Sequence, residues 1–187
     1  MTSQEQASRW VYEYSDLLYR HALLRVQDAD LAKDLVQDTF LSAWKNISQF
    51  HASSSAKTWL FAILKNKIID HYRRAATRHS TSFEKSDVTQ DIFFDGEEHW
   101  QKGQYPKQWT TQFKNLAETR EFYTVLEKCK SKLRDIQLAV FSMKYIDDKD
   151  SDEICKELCI TPSNYWVIMH RAKLQLRSCL EANWFAK

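Results

Sequence analysis

Residues that break helices are almost missing from this chain: its 187 residues include only two Gly and two Pro. Sheet folds need frequent tight turns, and Gly and Pro supply many of them. So few of either predicts an all-α protein. Their placement also predicts an interruption, because Gly96, Gly103 and Pro106 crowd one stretch near the middle while Pro162 stands apart.

The segments before that interruption carry apolar residues at the helical period. Between Trp10 and Val26, the stripe Val11, Tyr14, Leu18 and Ala22 is expected to close on a core. From Asp30 to Ile47, Leu31, Leu35, Val36, Phe40, Ala43 and Ile47 form an inner face. Asp34, Gln37, Asp38 and Lys45 then point outward, with Leu41 and Trp44 on the outer margin. Acidic residues beside exposed apolar ones suit a protein contact, although periodicity alone favours an ordinary solvated face. A serine-rich loop, Ser48 to Thr58, leads to a helix opening at Trp59, with Leu60, Ile63, Leu64 and Ile68 as core. Its polar side collects Lys65, Asn66, Lys67, His71, Tyr72, Arg73 and Arg74. Cations, aromatic rings and an Asn on one helix suit single-stranded DNA, where stacking on a ring contributes ~1–3 kcal/mol per base.

Beyond the interruption, Phe122, Val125, Leu126, Cys129 and Leu133, then Ile136, Ala139, Val140 and Met143, predict two amphipathic helices. Ser151 to Arg177 follows as a helix-turn-helix signature. Ser151 is the expected N-cap of its first helix, Asp152 and Glu153 suit the dipole, and Ile154 and Leu158 share a buried face. Thr161-Pro162 marks a second start, a hydroxyl cap followed by proline at the first helical position. Along this second helix Tyr165, Met169, Ala172 and Leu176 face inward, while Trp166, His170, Lys173 and Arg177 share another face. That face, with Ser163 and Asn164 at its start, suits a major groove.

Composition limits these readings. The net charge is only +2, so phosphate attraction over the whole surface is weak and a stand-alone DNA binder is disfavoured. Cys129, Cys155, Cys159 and Cys179 are expected as reduced, buried thiols of a cytoplasmic protein. Cys155 and Cys159 lie one helical turn apart, but no further ligand follows at zinc-like spacing, and neither metal nor cofactor is expected. No apolar run approaches the ~20 residues of a membrane helix.

Four motifs together resemble the extracytoplasmic-function sigma factors of the sigma-70 family. They are Asp34-Leu35-Val36-Gln37-Asp38-Thr39-Phe40 with Ala43-Trp44; Lys57-Thr58-Trp59-Leu60; Ile68-Ile69-Asp70-His71-Tyr72-Arg73-Arg74; and the final helix with His170-Arg171-Ala172-Lys173. The resemblance implies two helical domains, 8–76 and 115–185, with a partly ordered acidic and aromatic linker over 77–114. It implies no catalysis, and partners in core RNA polymerase (clamp and flap), promoter DNA and an anti-sigma factor. Asp34, Gln37, Asp38, Phe40 and Trp44 correspond to the part that docks on the clamp of the largest polymerase subunit. Ser54, Lys57, Trp59, Lys65, Asn66, Lys67, Tyr72, Arg73 and Arg74 correspond to the part that captures and melts the −10 element. Ser163, Asn164, Trp166, His170, Arg171, Lys173 and Arg177 correspond to the reader of the −35 element. Tethering to polymerase then supplies the effective concentration that the weak charge does not.

The linker holds Phe83, Phe93, Phe94, Trp100, Tyr105, Trp109 and Phe113 beside Asp87, Asp91, Asp95, Glu97 and Glu98. Family linkers run toward the RNA path, which implies that the acidic stretch occupies the polymerase's RNA channel; folding back over the two domains is the alternative. Two departures from the family pattern stand out. Cys159 holds the turn position where Gly is usual, which costs about 1 kcal/mol in a left-handed conformation. Asn164-Tyr165-Trp166-Val167 opens the reading helix with few cations. A stand-alone helix-turn-helix regulator is the main rival; a metal-dependent hydrolase has no ligand spacing behind it.

Overall fold

The computed structural model describes residues 3–50, 55–80 and 115–185, together with residues 93, 99, 101 and 102. Every long element in it is a helix. Three form an N-terminal cluster: α1 (Ser3–Val26), α2 (Ala29–Lys45) and α3 (Ala56–Ser80). Four form a C-terminal cluster: α4 (Leu116–Lys130), α5 (Asp135–Tyr145), α6 (Ser151–Leu158) and α7 (Pro162–Leu180), closed by a π-helical turn over Glu181–Phe185.

Local chemistry sets the helix starts. The Asp28 carboxylate accepts from the backbone N–H of Asp30 and Leu31, both at 2.9 Å, and opens α2. Helix α3 begins at Ala56, earlier than the sequence pattern suggests, because the Ser55 hydroxyl accepts from the Thr58 N–H at 3.1 Å and organises the turn. It runs on to Ser80, past the expected end of the first domain. Helix α6 is capped by Asp150 rather than by Ser151. The Asp150 carboxylate accepts from Glu153 N–H at 2.8 Å, the Glu153 carboxylate accepts from Asp150 N–H in return, and Ser151 becomes the first helical residue. The Thr161-Pro162 start of α7 is as expected, with the Thr161 hydroxyl accepting from Asn164 N–H at 3.2 Å.

Leu18, Ala22, Leu60 and Leu64 are sealed from solvent at the centre of the N-terminal cluster. Burying such a leucine contributes about 1.5–3 kcal/mol. The stripe on α1 is shifted from the expected one: Trp10 is buried and Val11 exposed, because α1 turns its Trp10 ring against Phe50 and Trp59 at centroid distances of 5.2 and 5.6 Å.

The larger of the two cores spans both clusters. Ile136, Ala139, Val140, Met143, Ile154 and Leu158 belong to the same continuous core as Leu18, Leu64, Ile68 and Tyr72. Helix α5 makes this possible, since Ile136 to Val140 are buried in an unbroken run; it packs on α1 and α3 as well as on α6 and α7. A second, smaller core lies between α4 and α7 around Cys129, Leu133, Ala172 and Leu176. There the expectation of four free thiols fails. Cys129 and Cys179, 50 residues apart in sequence, are joined by a disulfide. Spacing along the chain cannot reveal such a pair, because only the packing of α7 on α4 brings the two together. Cys155 and Cys159 are free, one buried and one exposed, and no metal-binding group of His, Cys, Asp and Glu occurs among the described residues. Among those residues, no helix is long and apolar enough to cross a membrane.

Candidate partner and nucleic-acid interfaces

An apolar groove of about 660 Å³ runs between α1 and α2. Val11 and Tyr19 form one wall; Val36, Phe40, Leu41 and Trp44 form the other. Trp44 is 54% exposed and Leu41 44%, more apolar surface than a helix needs for its own packing. Asp34, Gln37 and Asp38 are exposed on α2 beside it, and Phe40 is half-buried. Of the five residues singled out on α2, Gln37, Phe40 and Trp44 line the groove, and Asp34 and Asp38 are exposed on the same helix outside its lining. Its α1 wall was not legible, since Val11 belongs to a stripe expected inside.

Helix α3 divides its expected nucleic-acid residues among three settings. Lys57, Lys65, Asn66, Arg73 and Arg74 are exposed. Trp59 and Lys67 are half-buried, and the Trp59 ring leans on Phe50 and Trp10. Tyr72 is not on the polar side at all. It is 2% exposed, and its hydroxyl donates to the Arg25 carbonyl at 2.8 Å. Burial pushes its phenol pKa up, so it stays a neutral donor. The reason is tertiary: α5 covers that end of α3. Ser54 lies outside the described residues, as do Ser53 and the acidic residues Asp87, Asp91, Asp95, Glu97 and Glu98.

Polar contacts seal the same junction. Arg25 at the end of α1 donates through Nε to Asp147 at 3.1 Å and pairs with it a second time through its terminal nitrogen. Gln27 donates to the Glu127 carboxylate at 2.6 Å. Arg73 donates to the Glu157 carbonyl, near the end of α6, at 2.6 Å. Between these contacts lies a small cavity of about 160 Å³ lined by His21, Arg25, Lys65, Tyr72, Asp147 and Lys149. Burial and the neighbouring Arg25 charge lower the His21 pKa to about 4, and the ring meets Phe61 edge-on at 5.0 Å.

On α7, Tyr165, Met169, Ala172 and Leu176 are buried as expected. Ser163, Trp166, His170 and Lys173 are exposed; Asn164, Arg171 and Arg177 are half-buried. Trp166 is 62% exposed, and Lys173 sits 5.9 Å from the centre of the Tyr145 ring. Arg177 is engaged elsewhere: its guanidinium lies 4.8 Å from the centre of the buried Phe93 ring, and it donates to Glu181 at 2.9 Å. The connection from α6 to α7 passes through Cys159 in the left-handed conformation, φ 55° and ψ 43°, as the missing Gly implied.

Two protein-family models match the chain, Sigma-70 region 2 over residues 10–78 and Sigma-70 region 4 over residues 123–176. The first block falls within α1–α3 and the second within α4–α7. A "Probable RNA polymerase sigma factor" of Haemophilus influenzae is 40% identical over 159 residues, covering 85% of this chain and 81% of the relative. In Bacillus subtilis, the RNA polymerase sigma factor YlaC is 26% identical over 88% of this chain and 86% of its own length, and the ECF sigma factor SigX is 26% identical over 95% and 85%. Among solved structures, the sigma factor RpoE in complex with the anti-sigma factor NepR from Bartonella quintana aligns with 96% of this chain and 99% of its own at 17% identity. Its TM-score of 0.44 is too low to carry its arrangement over. The chain belongs to the sigma-70 family of RNA polymerase sigma factors, in the extracytoplasmic-function branch.

Proposed function

We propose a division of labour among these surfaces in a protein that binds core RNA polymerase, directs it to its promoters and promotes DNA melting. The groove between α1 and α2 receives the polymerase clamp: apolar anchors Phe40, Leu41 and Trp44 supply contact area while Asp34 and Asp38 steer a basic partner. The exposed side of α3, with Lys57, Lys65, Asn66 and the Arg73-Arg74 pair, binds the −10 strand, Asn66 hydrogen-bonding a base edge while the lysines take phosphates. Helices α6 and α7 act as a helix-turn-helix whose second helix meets the −35 duplex through Ser163, Trp166, His170 and Lys173. The acidic linker follows the path of nascent RNA. Nucleotide addition belongs to the polymerase, and an anti-sigma factor restrains the protein, as in the family.

What carries this reading is the occurrence of both sigma-70 blocks, in order, on one chain. Transcription with purified core polymerase on a genomic library tests it. Promoter-specific transcripts that depend on this chain are expected; their absence rejects the function.

A further inference from the structure

We propose that Tyr145, the last residue of α5 and outside every contact assigned above, is a positioning residue for promoter duplex: its ring holds the Lys173 ammonium where a DNA phosphate is met. The inference deepens the preceding reading of α7 and rests on it. Tyr145 is 53% exposed, although it ends a helix that is otherwise mostly buried. One turn back, the Phe141 ring meets it at 4.8 Å in a tilted arrangement, and Phe141 itself packs against the core around Cys129 and Leu176. The exposed ring is therefore backed by the fold and not loose on it. It also influences the buried Tyr165, whose phenol pKa is pushed up by burial first and by Tyr145 second. Tyr145 thus borders α7 both near its start and at Lys173.

Lys173 gains from such a support. Its side chain is exposed, and it makes no ion pair among the described residues. A lysine loses much rotamer freedom when it is fixed at one phosphate, so a platform that already restrains it reduces that loss. The ammonium lies 5.9 Å from the centre of the Tyr145 ring, within the ~6 Å at which a ring face attracts a cation. Its place along α7 suits a backbone contact. Trp166, about two helical turns earlier on the same face, is 62% exposed at the end of the helix that meets base edges. Phosphate contacts fix the register of a reading helix, so a Lys173 held in place aligns Ser163 and Trp166 with the groove. Arg177 does not share this task, because its guanidinium is engaged by Phe93 and Glu181.

The test uses the full chain assembled with core polymerase, on promoter duplexes recovered with the wild type in the genomic-library transcription. Initial promoter binding and the rate of strand opening are measured separately for Tyr145→Leu, Tyr145→Phe, Lys173→Gln and the Tyr145→Leu/Lys173→Gln pair. Tyr145→Leu removes the ring and should weaken initial binding about 3-fold while strand opening keeps its rate. Tyr145→Phe keeps the ring and should bind as the wild type does. Lys173→Gln should lose at least as much as Tyr145→Leu, and the pair should be no weaker than Lys173→Gln alone, because the ring acts only through the lysine. Unaltered binding by Tyr145→Leu, a Tyr145→Phe as weak as Tyr145→Leu, or losses that add in the pair overturns the inference. A Tyr145→Leu that acts by loosening the fold gives additive losses and so counts against it. The underlying reading is judged by the wild type: with no promoter-specific transcripts from it, that reading falls and takes the inference with it, whereas transcripts combined with uncoupled variants reject the inference alone.

Discussion

The N-terminal cluster shows two faces of opposite condition. Between α1 and α2 it leaves Leu41 and Trp44 uncovered, whereas the far end of α3 is roofed by α5 and α6 so completely that a tyrosine hydroxyl there satisfies itself on the Arg25 carbonyl. Both faces come from amphipathic helices with similar mixtures of charge and aromatic residues. The difference is in what the rest of the chain can reach. A surface that the chain leaves apolar and open is available to a partner at once; one that it covers becomes available only after the cover moves. The groove is thus the face this fold leaves open, while the apolar side of the far end of α3 is committed to the chain's own core.

The largest effect expected from breaking this contrast lies outside both faces. Cutting the Cys129–Cys179 link with Cys179→Ala should lower unfolding stability by up to about 4 kcal/mol, the loop-entropy value for a separation of 50 residues. Chemical denaturation measures it. Because that link joins α4 to α7, the loss should fall on the C-terminal cluster and leave the groove's affinity for polymerase intact. On the open face, Asp34→Arg with Phe40→Ala should weaken binding to core polymerase by about 100-fold, or about 2.8 kcal/mol. Circular dichroism must accompany the binding assay, since Phe40 is half-buried and packs against the core. An unchanged affinity would remove α2 from the docking surface.

On the covered face the sharpest probe is acidity. His21 is neutral when folded, its pKa lowered to about 4 from 6.5 by burial first and by Arg25 second. The unfolded chain therefore binds the extra proton as pH falls below about 6.5, and folded stability declines from there down toward pH 4. For a half-buried ring the loss is on the order of 1–2 kcal/mol after allowance for screening. Arg25, Lys65, Tyr72, Asp147 and Lys149 face the same cavity, so His21→Gln should flatten most of this slope in denaturation curves recorded across that range. The smallest effect belongs to the turn between α6 and α7. Cys159→Gly should stabilise by about 1 kcal/mol, because glycine accepts the left-handed φ of 55° without a Cβ penalty. A loss of stability instead would mean that the side chain of Cys159 contributes packing.

Much of this was legible in the residues alone. Scarcity of Gly and Pro announced the helices. The 3.6-residue period separated Leu35 and Val36 from Asp34 and Asp38, and Thr161-Pro162 marked the start of α7. Those features are local, decided within one or two helical turns, so a one-dimensional pattern contains them. The exposed line of Asp34, Gln37, Asp38 and Trp44 was found for the same reason.

Other features depend on contacts between residues far apart. Tyr72 looks polar and basic-flanked in the sequence, and it is the packing of α5 that makes it a core residue. Cys129 and Cys179 are each an unremarkable helical cysteine until α7 folds back on α4. Trp10 takes the inner place expected of Val11 because Phe50 and Trp59 arrive on the Trp10 side. The sequence by itself determined which segments are helices, where most begin, and which family's surfaces they carry. Only the tertiary structure decided which of those surfaces is open, because a helix face records its own polarity and not the identity of whatever comes to cover it.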